Sequence, residues 1–258
     1  MRYIRNRVLH QLRRIRSNYL LRHQKEFSLQ LPIGRVRHIL SKNALGFDNE
    51  GTPSWWYSSL DFRRNEADDL TKAALRYIEQ HVPKDAEILG TGCGTGWMLF
   101  WLAQRGYTRI DGFDYLDNVV QAAREIAELG GLKVRLWQAD GFQPQLNKNY
   151  DLVLVLHWLY SAWMGNYGNK PRLEDREKLL DEFLVAYAGR IENNGLLMLE
   201  LIDAISDFRE PPSEVYRVRH SAEQVARCAG AVGLRIEKQM FNSNYGHLPR
   251  MLYCLRKI

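Results

Sequence analysis

Apolar and polar positions along this chain change period repeatedly. Residues 66–80, 97–105, 116–129 and 172–190 carry apolar side chains at spacings of three and four, which predicts helices. Between them lie short runs rich in apolar residues, of which the fourth is continuously apolar after Asp151. These runs end at Ile88-Leu89 and occupy 110–114, 134–137, 151–156 and 196–202. Continuous short apolar runs are what strands covered on both faces show. Strand and helix patterns in alternation predict an α/β domain with a largely parallel sheet. Two further runs, 234–241 and 250–255, are expected to close the sheet as an antiparallel pair. Between the last helix and the fifth run, Glu192-Asn193-Asn194-Gly195 reads as a turn. His220-Ser221-Ala222-Glu223-Gln224 reads as a helix start, with Ser221 as cap and Gln224 closing a capping box, which makes His220 structural.

The first 26 residues have a different character. Ile4, Val8, Leu12, Ile15 and Tyr19 form one helical stripe, surrounded by arginines. Up to Leu40 there are ten Lys or Arg against one acid, whereas the remainder carries 26 basic and 29 acidic residues. The formal charge of +6 therefore belongs to the N-terminal segment, and the rest of the chain has no strong nucleic-acid signal. A basic amphipathic helix suits peripheral contact with an anionic membrane surface. It equally suits packing on the domain or on a partner. A cleaved organelle presequence is a third reading. Residues 27–50 read as a connector punctuated by Pro32, Gly34 and Gly46, which gives two expected units, 1–45 and 46–258. The three cysteines are far apart and lack metal-ligand spacing, so neither a disulfide framework nor a metal site is expected, and a cytoplasmic setting fits.

Candidate chemistry gathers at the ends of the apolar runs. Ile88-Leu89 leads at once into Gly92-Cys93-Gly94-Thr95-Gly96, and a helix follows. Strand, glycine turn and helix form the opening of a nucleotide-binding unit. Glycine leaves no Cβ in the way, so a ligand can lie against bare backbone. Asp114 ends the next run about twenty residues on, where a carboxylate meets ribose hydroxyls. Its structural alternative is a helix cap.

With these residues together, the chain resembles the class I S-adenosylmethionine-dependent methyltransferases over roughly residues 50–258. Ile88-Leu89-Gly90-Thr91-Gly92-Cys93-Gly94-Thr95-Gly96 is similar to their first motif and Gly112-Phe113-Asp114 to the second. Gln138-Ala139-Asp140-Gly141 and Tyr150-Asp151-Leu152-Val153-Leu154 are similar to the third and fourth. The resemblance implies a three-layer sandwich around a seven-stranded, mostly parallel sheet with an antiparallel last strand, here preceded by the basic helix. It implies S-adenosyl-L-methionine as cofactor, with Gly90, Thr91, Gly92, Cys93, Gly94, Gly96, Asp114, Tyr115, Asp140, Gly141 and Arg64 around it. Gly90 departs from the family, which usually has an acid there to hold the amino-acid part of the cofactor.

For the acceptor side, His157 falls at the carboxyl end of the fourth run, where ligands bind in parallel sheets. An imidazole there is a candidate base for a hydroxyl nucleophile. His247, on the last connector, is the second candidate. Tyr57, Trp158, Tyr160 and Tyr245 are the expected acceptor-contacting aromatics. The favoured activity is O-methylation of a small-molecule or glycan hydroxyl. N-methylation of a small molecule and a catalytically silent cofactor-binding scaffold are the alternatives. Asn/Asp-Pro-Pro-Tyr/Phe does not follow the fourth run, so nucleobase or amide N-methylation of that type is not supported.

Overall fold

A computed structural model describes residues 28–46, 69–163, 176–202, 219–242 and 250–258. The elements in chain order are α1 (Ile33–Lys42), α2 (Asp69–His81), β1 (Glu87–Thr91), α3 (Trp97–Gln104) and β2 (Arg109–Asp114). They continue with α4 (Asp117–Leu129), β3 (Val134–Gln138), β4 (Tyr150–Val155), α5 (Leu159–Trp163) and α6 (Arg176–Ala188). The last four are β5 (Ile191–Ile202), α7 (Ala222–Ala231), β6 (Leu234–Asn242) and β7 (Arg250–Lys257). The seven strands form one sheet in the order β3-β2-β1-β4-β5-β7-β6. All neighbouring pairs are parallel except those made by β7, which runs against both β5 and β6.

The doubly apolar strand pattern has a direct structural counterpart. Ile88, Leu152, Leu154, Leu196 and Met198 face one core with α1, α2, α3 and α4. Their sequence neighbours Leu89, Val153, Val155, Leu197 and Leu199 face the other core with α5, α6 and α7. Each strand thus feeds two layers, because side chains alternate sides at every residue. The expected three-layer sandwich and the antiparallel last strand are both present.

Two local readings change. The connector at 27–50 contains α1, whose Val36 and Leu40, four residues apart, are buried in the first core. Pro32 is the cap position of that helix, and Gly34 sits in its first turn. Proline and glycine predict breaks in a helix, yet the start of a helix tolerates them. The turn expected at 192–195 is instead part of β5, which begins at Ile191. The β4–β5 register shifts there, from Tyr150 opposite Ile191 to Leu152 opposite Leu196, and Asn194 is left-handed with φ 62°. The turn-forming residues make a bulge within a strand. The helix start at Ser221 is as expected. Its hydroxyl accepts from Gln224 N–H, the Gln224 side chain accepts from Ser221 N–H, and His220 is buried against Trp163.

Candidate functional site

A cleft with about 890 Å³ of open space lies at the carboxyl ends of β1, β2 and β4. Gly90, Thr91, Gly92, Cys93, Gly94, Asp114, Tyr115, Gly141, His157 and Trp158 are among the residues that line it. The sheet places them together because β1 lies between β2 and β4, and all three run parallel. Gly92 and Gly94 have φ of 55° and 56°, a left-handed conformation that glycine adopts without a Cβ clash. Gly96, with φ 86°, precedes α3 and packs on Phe100.

Asp114 joins the turn to the second strand. Its Oδ2 accepts from Gly94 N–H at 2.9 Å, and its Oδ1 accepts from Leu116 N–H at 3.1 Å. Among the described residues no cation pairs with it. Burial pushes its carboxyl above the usual range, against the pull of the backbone N–H groups. Asp114 is thus not the cap of α4, whose cap position is Leu116 and carries no side-chain bond; it ties the glycine turn to the residue before that helix, and it lines the cleft.

Trp158 explains why two of the glycines must be bare. A Cβ at Gly92 would lie 2.5 Å from its indole, and a Cβ at Gly141 would meet the far side of the same ring at 2.5 Å. Trp158 Nε1–H donates to Thr91 Oγ1 at 3.0 Å, and Phe142 meets the ring edge-on. The indole is a buried wall of the cleft, clamped between the glycine turn and the loop after β3. Gly141 is fixed from the other direction, since Tyr187 Oη–H donates to its carbonyl at 2.7 Å. The space beside Gly90, where the family usually places an acid, is occupied by Leu99. A Cβ there would come within 2.7 Å of Leu99 Cδ2.

His157 is the second residue past the end of β4. Its φ of 68° is left-handed, which costs a non-glycine residue about 1–2 kcal/mol. Glu200, on β5, accepts from its backbone N–H at 2.9 Å. Both ring nitrogens are engaged: Nε2 is 2.6 Å from Thr71 Oγ1 on α2, and Nδ1 is 2.9 Å from Arg250 Nη1 on β7. Arg250 also reaches Glu200 Oε1 at 2.6 Å. Thr71, Glu200 and Arg250 were not singled out from sequence. They come from distant segments and share no motif, and only the strand register brings them together.

The remaining expected residues divide. Tyr115 is 54% exposed on the cleft rim. Asp140 is exposed, and its carboxylate accepts from Phe142 N–H at 2.8 Å, the turn-forming role. It does not line the cleft, and neither does Tyr160, which is buried in the second core. Tyr57, Arg64, Tyr245, His247 and the basic helix at 1–26 lie outside the described residues.

The residues present fit the nucleoside half of S-adenosylmethionine. A bare left-handed glycine turn adjoins a buried carboxylate without a cation, the combination that ribose hydroxyls need. Residues 88–167 match the model of a methyltransferase domain. The chain is 27% identical over 153 residues to EEF1A lysine methyltransferase 2 of Mus musculus, covering 54% of this chain and 60% of that protein. It is 23% identical over 156 residues to the ubiquinone biosynthesis O-methyltransferase of Rickettsia felis, covering 58% and 57%. The chain thus spans about three-fifths of the length of these relatives. Among solved structures, magnesium protoporphyrin IX methyltransferase from Synechocystis, with bound SAH, superposes with a TM-score of 0.57 at 17% identity. That match covers 74% of this chain and 83% of the other. Motif, sheet order and cleft agree with these likenesses: residues 88–167 match a methyltransferase domain, and the sheet around them has the fold of the class I, Rossmann-like S-adenosylmethionine-dependent methyltransferases.

Proposed function

We propose that this chain transfers a methyl group from S-adenosylmethionine to an oxygen nucleophile, a hydroxyl of a small molecule or glycan. When bound, the cofactor supplies an electrophilic methyl on sulfonium. The observation that carries the reading is Asp114. Its buried carboxylate faces the cleft, is held in place by Gly94 and Leu116 N–H groups, and has capacity to accept from ribose hydroxyls. The glycine turn and the Trp158 wall shape the cleft around that ligand. Leu99 makes the wall beside Gly90 apolar, so the amino-acid end is held by residues other than an acid at that position.

The acceptor is brought to the carboxyl edge of β4, where His157 is the polar side chain among the described lining residues nearest the chain's exit from the sheet. An oxygen acceptor suits the polar edge that His157 and its partners make there. The likeness to EEF1A lysine methyltransferase 2 favours a second reading, transfer to an amine. No helix among the described residues is long and apolar enough to cross a membrane. Peripheral membrane contact is assigned to residues 1–26, whose arginines suit anionic headgroups.

Calorimetry with S-adenosylmethionine, its demethylated product and NAD tests the first step. Binding of the first two and not of NAD is expected, and tight NAD binding with no response to the methyl donor overturns the reading. A mass-spectrometric screen with isotopically labelled cofactor then separates hydroxyl from amine acceptors. Absence of label transfer to either, with cofactor bound, would leave a silent cofactor-binding scaffold as the answer.

A further inference from the structure

His157 and the three side chains around it, Thr71, Glu200 and Arg250, form one polar assembly drawn from four separate parts of the chain. Ile202 is opposite Arg250 in the β5–β7 pair and Glu200 is opposite Leu252, so Glu200 and Arg250 are diagonal neighbours on one face of the sheet. That face looks toward the core of α1–α4, and Thr71 completes the group from α2. Glu200 is 1% exposed and Arg250 8%, so the ion pair is desolvated and its geometry is held by surrounding packing.

This assembly acts on His157 at two levels. At the backbone, Glu200 Oε2 accepts from His157 N–H and so supports the left-handed conformation. Strained backbone of this kind persists where the surroundings over-determine it, and such positions cluster at ligand sites. At the ring, Nδ1 lies 2.9 Å from Arg250 Nη1 and 3.1 Å from Glu200 Oε2. The two neighbours favour opposite proton placements. A guanidinium has only N–H groups to offer, so a bond from Arg250 requires a lone pair on Nδ1. A bond to Glu200 requires a proton there. Glu200 Oε2 already accepts from the backbone N–H, and Oε1 from Arg250.

We propose that Arg250 and Glu200 are positioning residues that lock the His157 ring with Nδ1 accepting from Arg250 and its proton on Nε2. In that form Nε2–H donates to Thr71 Oγ1, and neither ring nitrogen offers a lone pair to an incoming hydroxyl. His157 then orients the acceptor and shapes its pocket as a fixed wall, and the role of base expected from the sequence passes to another group. The lock's use in methyl transfer rests on the function proposed above; the lock itself does not.

Nitrogen NMR of the full-length chain, labelled with ¹⁵N-histidine, reads the proton directly. The His157 signals are assigned by their loss in His157→Gln. The wild type is expected to show an unprotonated Nδ1 and a protonated Nε2. A protonated Nδ1 with a bare Nε2 overturns the proposal without any further variant. Arg250→Lys retains an N–H donor and should keep the pattern, whereas Arg250→Ala should move the proton to Nδ1, toward Glu200. Unchanged ring signals in a folded Arg250→Ala chain overturn the role of Arg250. If that variant does not fold, Glu200→Gln serves instead. It keeps an acceptor for the backbone N–H and removes the competing charge, so the Nε2 proton should stay, and its transfer to Nδ1 would refute the lock. Cofactor calorimetry on Arg250→Lys should match the wild type. If no form of the chain binds the cofactor, the proposed function fails while the NMR result still stands or falls by itself.

Discussion

Strand β2 carries two buried aspartates three residues apart, and they are treated in opposite ways. Asp111, near the amino end, is 4% exposed and surrounded by partners with protons to give. Arg135 donates twice, at 3.0 and 2.5 Å, Lys148 is 3.0 Å away, and Tyr150 Oη–H donates at 3.0 Å. Asp114, at the carboxyl end, is 7% exposed and accepts only from backbone N–H groups. A buried carboxylate with full compensation has nothing left to offer a ligand. One held in place by backbone alone keeps charge and acceptor capacity directed at the cleft. The difference between a structural acid and a binding acid thus lies in their partners, since burial and strand are the same.

Exchanging each residue should separate the two roles, and the largest effect is expected at Asp114. Asp114→Ala should weaken S-adenosylmethionine binding by about 1–3 kcal/mol in calorimetry, through loss of charge-assisted hydrogen bonds. Binding should also depend on pH. The ionised carboxylate is the form that accepts, and burial raises its pKa. Affinity should therefore fall on acidification, beginning at higher pH than an ordinary aspartate would give, and Asp114→Asn should remove that dependence. The linkage in the free protein has the other sign. A raised folded-state pKa means that Asp114 contributes stability below its unfolded pKa and loses it as pH rises through the folded one.

The second effect in size is at Asp111. Asp111→Ala should lower unfolding free energy in urea by about 1–3 kcal/mol, mainly by stranding the buried Tyr150 hydroxyl, and leave cofactor affinity unchanged. Loss of affinity with normal stability would erase the contrast. Gly112 stands between the two acids, and a Cβ there would meet Leu99 Cδ1 at 2.4 Å and Leu136 Cδ2 at 3.0 Å. Gly112→Ala should cost about 1–2 kcal/mol by overpacking, read as a lower urea midpoint. The smallest effect is expected for Arg135→Ala. Its side chain is 57% exposed, so solvent replaces much of what it gives Asp111, and the loss should stay below about 1 kcal/mol in the same measurement.

The same contrast explains what could be read from sequence. The glycine turn and Asp114 were legible because that half of the site is built from backbone and one acid within a short stretch. The glycines need particular φ values and the acid needs a particular strand end, and both leave marks in local sequence. Trp158 reads from sequence as an acceptor-contacting aromatic, and its packing between Gly92 and Gly141 leaves no local mark, because that depends on where two loops meet. Thr71, Glu200 and Arg250 left no local mark at all. Glu200 looks like an interruption in an apolar strand, and Arg250 like the start of another. Their pairing follows from the β5–β7 register, which turns on how far the chain runs before it returns. Helix α1 was missed for a smaller reason: two residues that usually break helices stand where a helix begins, and they outweighed the spacing of Val36 and Leu40.

The strand order has a consequence for synthesis. β7 lies between β5 and β6, although it follows both in the chain. As the polypeptide leaves the ribosome, β5 and then β6 emerge ahead of the strand that joins them. During that interval β5 offers an open edge carrying Leu197, Leu199 and Leu201, residues that end fully buried. Open apolar edges invite pairing with other chains. Completion of the sheet is therefore an insertion of β7 between two strands that precede it in the chain, and the sheet is most exposed to misassembly just before Arg250 and the residues after it arrive.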